Sequence, residues 1–318
     1  MTEPTTKREL KLTRQGWADA LIELGQNPDV VVLDADLSKS TLTCQFKEKY
    51  PAQFHNVGIA EQNLVNIAGG LSLTGYIPFV STYGVFLSGR AWEMIRTTIC
   101  INNLNVKFGG AHGGLSVGPD GASHQALEEI AIMRCLPNMT VVVPADYEET
   151  RKAILQSAKI EGPVYIRFGR EKVPVISTPE SEFEIGKANV LKEGDDITII
   201  ACGAMVAEAL DAQAALAEKN ISAEVINLHT IKPLDTATIL KSLQKTKALV
   251  TVEEHQISGG MGSAVLEAIA SENPVPAELI GVPDTFGESG TPKELLEKFG
   301  LKSSNIAAKA EKVIQQKQ

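Results

Sequence analysis

Short apolar runs rich in β-branched residues alternate along the chain with longer segments that have the apolar spacing of amphipathic helices. In the first half, the pattern predicts strands at residues 30–33, 54–57, 77–80, 106–108, 141–143 and 164–167. Helices are predicted between them at residues 14–24, 61–73, 91–99, 125–134 and 147–158. This alternation is typical of βαβ units, so we expect a parallel sheet covered by helices on both faces.

The alternation stops between residues 171 and 186, where prolines, serines and acidic residues accumulate as in a connector between domains. It then resumes, with strands predicted at residues 197–202, 224–228, 249–253 and 279–282 and helices such as 205–216 and 262–271. The length of 318 residues is about twice that of a typical domain. We therefore predict two doubly wound α/β domains, residues 1–178 and a smaller one at 187–318.

Composition narrows the class of protein. The chain has 30 basic and 39 acidic residues, a formal net charge of −9, which disfavours a general nucleic-acid binder. Its four cysteines form no CxxC pair, so neither a disulfide framework nor a zinc site is predicted. The opening segment, MTEPTTKREL, has no apolar stretch of signal-peptide length. We expect a soluble, cytoplasmic protein.

The densest candidate for chemistry is HNVGIAEQN, residues 55–63. Glu61 follows a predicted strand and lies in the first turn of a predicted helix, where the helix dipole favours a carboxylate by up to ~1 kcal/mol. Taken alone, this placement favours the simple interpretation that Glu61 opens a helix.

A second segment, PFVSTYGVF, carries Tyr83 and Phe86 three positions apart at the end of a predicted strand. Aromatic residues at helical spacing usually pack in a core. They are equally suited to form an apolar wall for a flat heterocycle. The residues alone leave both interpretations open.

A third segment, AHGGLSVGPDGASHQ, places His112, Asp120 and His124 in a stretch where five of fifteen residues are Gly or Pro. Such a stretch displays its side chains from a loop. A metal site is one interpretation, but the HxxxH and HExxH spacings are missing. The other is a glycine-rich turn in which an Asp caps a helix beginning at Gln125.

Basic and hydroxyl residues are scattered elsewhere: Arg14, Ser38, Ser40, Arg167 and Arg170. An arginine at the carboxyl end of a strand is well placed to bind phosphate through two hydrogen bonds. Isolated arginines are more often solvated surface, and only a shared fold can bring these residues together.

Seven segments in this order resemble the pyrimidine-binding domain of transketolase, a thiamine diphosphate enzyme: LTRQGW, DADLSKS, HNVGIAEQN, PFVSTYGVF, AHGGLSVGPDGASHQ, RCLPNMTVVVPAD and YIRFGR. Three later segments resemble the C-terminal domain of that family: ITIIACGAMV, TIKPLD and VEEHQISGGMG. The resemblance covers essentially the whole chain.

One part of the family pattern is missing. The diphosphate-binding domain carries a Gly-Asp-Gly segment and a downstream Asn, which hold a divalent metal (Mg or Ca) and the diphosphate. No Gly-Asp-Gly occurs here, and residues 194–196, Gly-Asp-Asp, lack the following helix and Asn. The resemblance therefore implies the C-terminal half of a split transketolase. It implies an N-terminal partner subunit that holds the metal, an α2β2 heterotetramer and no metal site on this chain.

The resemblance also implies cofactor contacts. Glu61 matches the carboxyl that bonds a nitrogen of the aminopyrimidine ring and favours its imino tautomer, which removes the thiazolium C2 proton. Tyr83 and Phe86 match the aromatic pocket for that ring. A third aromatic is common in the family where this chain has Gly89.

The substrate contacts follow in the same way. His112 matches a position that meets substrate phosphate, and Asp120 and His124 match positions that meet the hydroxyls and carbonyl end of the sugar. His112 and His124 thus join Glu61 as catalytic residues. The remaining phosphate ligands correspond to Arg14, Ser40 and Arg170. The implied reaction is reversible transfer of a two-carbon ketol unit from a ketose phosphate to an aldose phosphate, as in the pentose phosphate pathway.

Three alternatives stay open. Deoxyxylulose-phosphate synthase shares the GIAEQ string at residues 58–62, but it is one long chain and lacks a histidine at position 112. The β subunit of a 2-oxoacid dehydrogenase has similar length and needs a partner, but it generally lacks the DGASHQ loop at 120–125. A non-catalytic structural or regulatory subunit is disfavoured because Glu61, His112, Asp120 and His124 are all present.

Overall fold

A computed structural model describes residues 8–317. Residues 1–7, most of the segment inspected for a signal peptide, and Gln318 lie outside the described residues. Within residues 8–317, no helix combines the length and the apolar character that crossing a bilayer requires.

Strands and helices alternate through both halves of the chain. The strands are β1 Leu10–Leu12, β2 Val30–Asp34, β3 Phe54–Asn56, β4 Ile77–Tyr83, β5 Lys107–Ala111, β6 Thr140–Val142, β7 Val164–Arg167, β8 Lys172–Pro174, β9 Asn189–Lys192, β10 Ile197–Ala201, β11 Ala223–Asn227, β12 Thr230–Lys232, β13 Leu249–Gln256 and β14 Ala277–Val282. The α-helices are α1 Thr13–Leu24, α2 Ser38–Thr41, α3 Thr43–Lys49, α4 Glu61–Leu73, α5 Gly84–Arg90, α6 Trp92–Met94, α7 Glu129–Arg134, α8 Tyr147–Ser157, α9 Met205–Ala217, α10 Thr236–Thr246, α11 Met261–Ile269, α12 Pro292–Lys298 and α13 Ser303–Ile314.

The first sheet has seven strands in the order β12-β6-β7-β5-β4-β2-β3, parallel except for β12. Its central strands β5 and β7 are buried along their whole length, as expected when helices cover both faces. Helix α1 packs so closely that a Cβ at Gly109 would lie 2.5 Å from the Trp17 ring, which explains the glycine there.

The second sheet has five strands in the order β14-β13-β10-β11-β9, parallel except for β9. The prediction of two doubly wound α/β units is thus confirmed. The expectation of purely parallel strands was wrong at one edge of each of these two sheets and for β1 and β8, which form a separate antiparallel pair. Strand β12 follows the second unit's β11 in the chain but pairs with β6, so it ties the second unit to the first sheet.

Two predicted helices differ from the structure. The helix expected at 125–134 begins only at Glu129, because the Ala126 backbone pairs instead with the loop and its carbonyl accepts the Gly114 N–H at 2.8 Å. The Gln125 side chain donates to the carbonyls of Leu115, at 3.2 Å, and Glu288, at 2.9 Å. The segment 91–99 is a short α6 followed by a π-helical turn, Ile95–Cys100. A 3₁₀ turn, Leu115–Asp120, lies within the glycine-rich loop.

Candidate functional site

Glu61 is the first residue of α4 and is only 4% exposed. The chain turns from β3 into this helix through Gly58, whose φ of 77° is left-handed. Helix α4 then buries Leu64, Val65 and Ala68 against the sheet, the spacing of an amphipathic helix. These contacts fix the start of the helix and hold the Glu61 carboxylate at the carboxyl edge of the strands.

Four rings form one continuous surface at the same edge. The β4–β5 register pairs Tyr83 with Ala111, which brings the Tyr83 and His112 ring centroids to 4.0 Å. Phe86, in the first turn of α5, lies 5.8 Å from Tyr83 and 5.3 Å from His124, measured between ring centroids. The structure therefore brings together four of the predicted site residues.

Arg90, at the end of α5, joins this surface to the carboxylate. Its Nη1 donates to Glu61 Oε1 at 3.1 Å, and its guanidinium lies 4.1 Å from the centroid of the Phe86 ring. Arg90 was not predicted from the sequence, because a single arginine near the end of a helix carries no pattern. Its neighbour Gly89 is exposed, and a Cβ there would have no described atom within 4 Å.

His112 is buried in an unusual backbone conformation, with φ of 59°. Burial, helped by the nearby positive charges of Arg14 and Arg170 and by His124, lowers the pKa of His112 to about 3. The imidazole is therefore neutral at pH 7. No described residue bonds its buried Nδ1, so this atom is available to a ligand.

The two arginines of the predicted phosphate clamp lie near each other. Burial, and next the positive charge of Arg170, lower the pKa of Arg14. Arg14 Nη1 donates to the Ser40 carbonyl at 2.8 Å, and Arg170 Nη1 lies 3.2 Å from Asp120 Oδ1 and donates to the Val117 carbonyl at 2.8 Å. Two neighbouring guanidinium groups that repel each other favour binding of an anion between them.

Ser40 meets Arg14 through its backbone carbonyl, so its role as a phosphate ligand stays a prediction. One interpretation of the loop differs from the structure. Asp120 pairs with Arg170 and does not cap a helix at Gln125, where no helix begins.

Arg167, first grouped with the phosphate candidates, lies elsewhere. It forms a buried ion pair with Glu129 and donates to the Glu254 carbonyl at 2.7 Å. Among residues 8–317, no three His, Cys, Asp or Glu side chains are grouped as a metal would require. His112, Asp120 and His124 consequently do not form a three-ligand cluster.

Comparison with known proteins identifies the family of this chain. Residues 11–175 match the transketolase pyrimidine binding domain, and residues 186–306 match the transketolase C-terminal domain. A Methanocaldococcus jannaschii protein, named provisionally as a transketolase C-terminal section, is 49% identical over 92% of this chain and 93% of its own length. The 6-deoxy-6-sulfo-D-fructose transketolase subunit SqwH of Clostridium sp. strain MSTE9 is 40% identical over 100% of this chain and 99% of its own.

A solved structure is similar as well. A split-gene transketolase, described as an inactive β4 tetramer, has a TM-score of 0.91 and 50% identity, covering 96% of this chain and 99% of that one. The chain therefore belongs to the transketolase family, in which it corresponds to the pyrimidine-binding and C-terminal domains.

Proposed function

We propose that this chain supplies the pyrimidine half of a thiamine diphosphate site, and the sugar-phosphate contacts, of a two-chain transketolase. With its partner it transfers a two-carbon ketol unit reversibly from a ketose phosphate to an aldose phosphate. One observation carries the proposal: a chain of contacts joins the buried Glu61 carboxylate to the aromatic rings. Glu61 is bonded by Arg90, and Arg90 lies over the Phe86 ring. Phe86 in turn lies beside Tyr83, which packs on His112.

The residues present fit the pyrimidine end of the cofactor. A cavity of about 480 Å³ lies beside Glu61 and is lined by residues 59–63 and Arg90. Tyr83 and Phe86 offer half-buried ring faces of the kind that pack on a flat heterocycle. When bound, thiamine diphosphate supplies the nucleophilic carbon that cleaves and forms the carbon–carbon bond.

Glu61 holds a proton toward a ring nitrogen of the cofactor in this proposal. Its burial strengthens such a hydrogen bond, because the local dielectric is low. The Arg90 guanidinium pairs with the ionised carboxylate, whereas donation to a ring nitrogen requires the protonated one. Since Arg90 is 52% exposed, it can turn toward solvent at small energetic cost.

Arg14 and Arg170 bind the substrate phosphate, and the neutral His112 contributes a hydrogen bond without adding charge. The arginine bonds are charge-assisted and contribute roughly twice as much as neutral ones. Asp120 and His124, on the same loop, contact the hydroxyls and carbonyl end of the sugar.

The partner is an N-terminal subunit that carries the diphosphate-binding domain and its divalent metal, Mg or Ca, in an α2β2 heterotetramer. The inactive β4 assembly of the similar split-gene transketolase supports this need for a second chain. Ile59, two residues before Glu61, is 77% exposed, and the outward positions of α4 carry no charge: Gln62, Asn63, Asn66, Gly70 and Leu73. An uncharged, partly apolar face of this kind suits contact with another protein. The proposed setting is carbohydrate metabolism in the cytoplasm, at the pentose phosphate pathway.

The test is reconstitution. The chain, an N-terminal subunit encoded nearby, thiamine diphosphate and Mg²⁺ are mixed with a panel of ketose and aldose phosphates. We expect ketol transfer from the mixture and none from the chain alone. Glu61→Gln is expected to abolish transfer, while the control Glu48→Gln, on the exposed face of α3, leaves it unchanged. Full activity of the isolated chain would refute the split site. In a parallel mixture that contains a 2-oxoacid, decarboxylation without ketol transfer from the sugar phosphates would favour the other two enzyme classes.

A further inference from the structure

The second unit contacts the first unit at the point where its fold normally binds a ligand. Doubly wound sheets bind ligands at the carboxyl ends of neighbouring strands whose connections run in opposite directions. In the second sheet this point lies between β10 and β13. There the Gly203 N–H donates to the Val143 carbonyl of the first unit at 3.1 Å. The first unit therefore lies against this point of the second sheet.

Glu254, near the end of β13, reaches across this junction. The side chain is buried, and its Oε1 accepts the backbone N–H of Ser116 at 2.5 Å. Ser116 lies in the loop between His112 and His124. A Cβ at Gly114 in the same loop would lie 2.4 Å from Glu254 Cδ, and Gly114 has a φ of 92°. The loop backbone is thus pressed directly against the carboxylate, and only a glycine fits there.

The Glu254 anchor is itself fixed. Its main-chain carbonyl accepts from Arg167, which is paired with the buried Glu129. A second contact holds the other end of the loop, because the Gln125 Nε2 donates to the Glu288 carbonyl at 2.9 Å. The second unit therefore contacts this segment at two points, through the buried Glu254 side chain and through the backbone carbonyl of the exposed Glu288.

We infer that Glu254 is a positioning residue that sets the backbone of loop 112–124, and with it His112 and His124, from the second unit. The inference rests on the proposed function in one respect, namely that the loop binds the sugar phosphate. It gives the second unit a role in the reaction that does not require a ligand site of its own. A loop fixed before substrate arrives loses less freedom on binding, so substrate affinity depends on this contact.

Two substitutions at Glu254 distinguish the effect of the side chain's length from the effect of its negative charge. Glu254→Asp keeps the negative charge near Arg167 but withdraws the carboxylate by one methylene, so Ser116 loses its acceptor. Glu254→Gln keeps an acceptor oxygen at the same reach and removes the charge. Glu224→Gln is the control, since Glu224 is a buried carboxylate of the same sheet that pairs with Lys245 within the second unit.

Hydrogen–deuterium exchange of residues 112–124 is measured in the complex with the partner, together with KM, kcat and thiamine diphosphate affinity. We expect Glu254→Asp to speed loop exchange and raise KM for the ketose phosphate, each by about tenfold, with cofactor affinity unchanged. Glu254→Gln should change both by about threefold or less, and Glu224→Gln should change neither. Equal loop exchange in all chains, or a larger effect of Gln than of Asp, would overturn the inference.

Two further outcomes are distinguishable. If the wild-type complex transfers no ketol group while Glu254→Asp still loosens the loop, the proposed function fails and the anchoring contact stands. If both variants fail to fold, residue-resolved exchange of the wild-type chain decides. The Ser116 amide should then exchange at least about tenfold more slowly than that of the exposed Ser123, and equal rates would overturn the inference.

Discussion

Arg167 and Arg170 are three residues apart in one segment, yet they belong to regions with opposite character. Arg167 is buried at the junction of the two units and pairs with Glu129. Although burial alone lowers the pKa of Arg167, the carboxylates of Glu129 and Glu254 raise it above its usual value. Arg170 is part-exposed beside Arg14, with Asp120 as a partner at 3.2 Å. Arg167 therefore stabilises the junction between the two units, whereas Arg170 is available to bind a ligand.

The comparison shows a difference in how arginines are partnered. At the junction, Arg167 is buried and paired with a buried carboxylate. At the edge of the first sheet, Arg14 and Arg170 repel each other, and Glu61 is bonded by a half-exposed arginine. Positive charges that are not fully neutralised by the chain suit an anionic ligand.

The largest expected effect comes from breaking the junction. Arg167→Met leaves the buried Glu129 carboxylate without its partner and should lower the free energy of unfolding by about 3 to 5 kcal/mol. Urea denaturation measures this loss. Arg170→Met is the matched control and should change stability by less than about 1 kcal/mol. An equal loss of free energy of unfolding in the two variants would contradict the distinction between a stabilising Arg167 and a ligand-binding Arg170.

Glu149, another buried carboxylate at the junction, makes the free energy of unfolding depend on pH. Burial raises the pKa of Glu149 from 4.5 to about 7, although the Ala145 N–H and the Asn227 Nδ2 both donate to it. The folded chain holds this proton more tightly than the unfolded chain. The contribution of Glu149 should therefore lower the free energy of unfolding by roughly 3 kcal/mol as the pH rises from about 4.5 to about 7.

Glu149→Gln tests this dependence. The amide oxygen can accept from Ala145, and its nitrogen can donate to the Asn227 Oδ1, which no described residue bonds. Chemical denaturation at several pH values should show a flatter profile for the variant between pH 5 and 7, about the range set by the two pKa values. A profile identical to that of the wild type would remove Glu149 from the account.

At the open edge, Arg170→Met should weaken substrate binding without weakening the fold. We expect KM for a phosphorylated ketose to rise about tenfold, because one charge-assisted phosphate contact is lost. KM for the same sugar without phosphate should not change, and this comparison is the control. A parallel rise for both sugars would remove Arg170 from the phosphate clamp.

The smallest effect is expected at Gly89, where a side chain has open space. Gly89→Phe adds a third ring next to Phe86 and should tighten thiamine diphosphate binding by the complex about threefold. Gly89→Ala separates the ring from the gain in helix propensity. Titration of cofactor into each complex gives the dissociation constants. Weaker binding with the ring than with Ala would show that the open space serves another purpose.

Local patterns predicted much of the fold and the segments of the site. The apolar periodicity identified α4 with its bounds, and the order of motifs identified the family. The apolar periodicity did not predict the edge strands β9 and β12, because a strand of three or four residues is too short to show a periodic pattern. It also could not predict Arg90 or Glu254, since their partners lie 29 and 138 residues away. Long-range contacts of this kind leave no local pattern in the chain.

The central claim is that Glu61 hydrogen-bonds a ring nitrogen of a cofactor whose diphosphate is held by another subunit. The most direct measurement is the rate at which the thiazolium C2 proton exchanges with deuterium in the reconstituted complex, without substrate. We expect fast exchange with the wild-type chain and a rate slowed by about a hundredfold or more with Glu61→Gln. An unchanged exchange rate in a folded, cofactor-loaded Glu61→Gln complex would contradict the account.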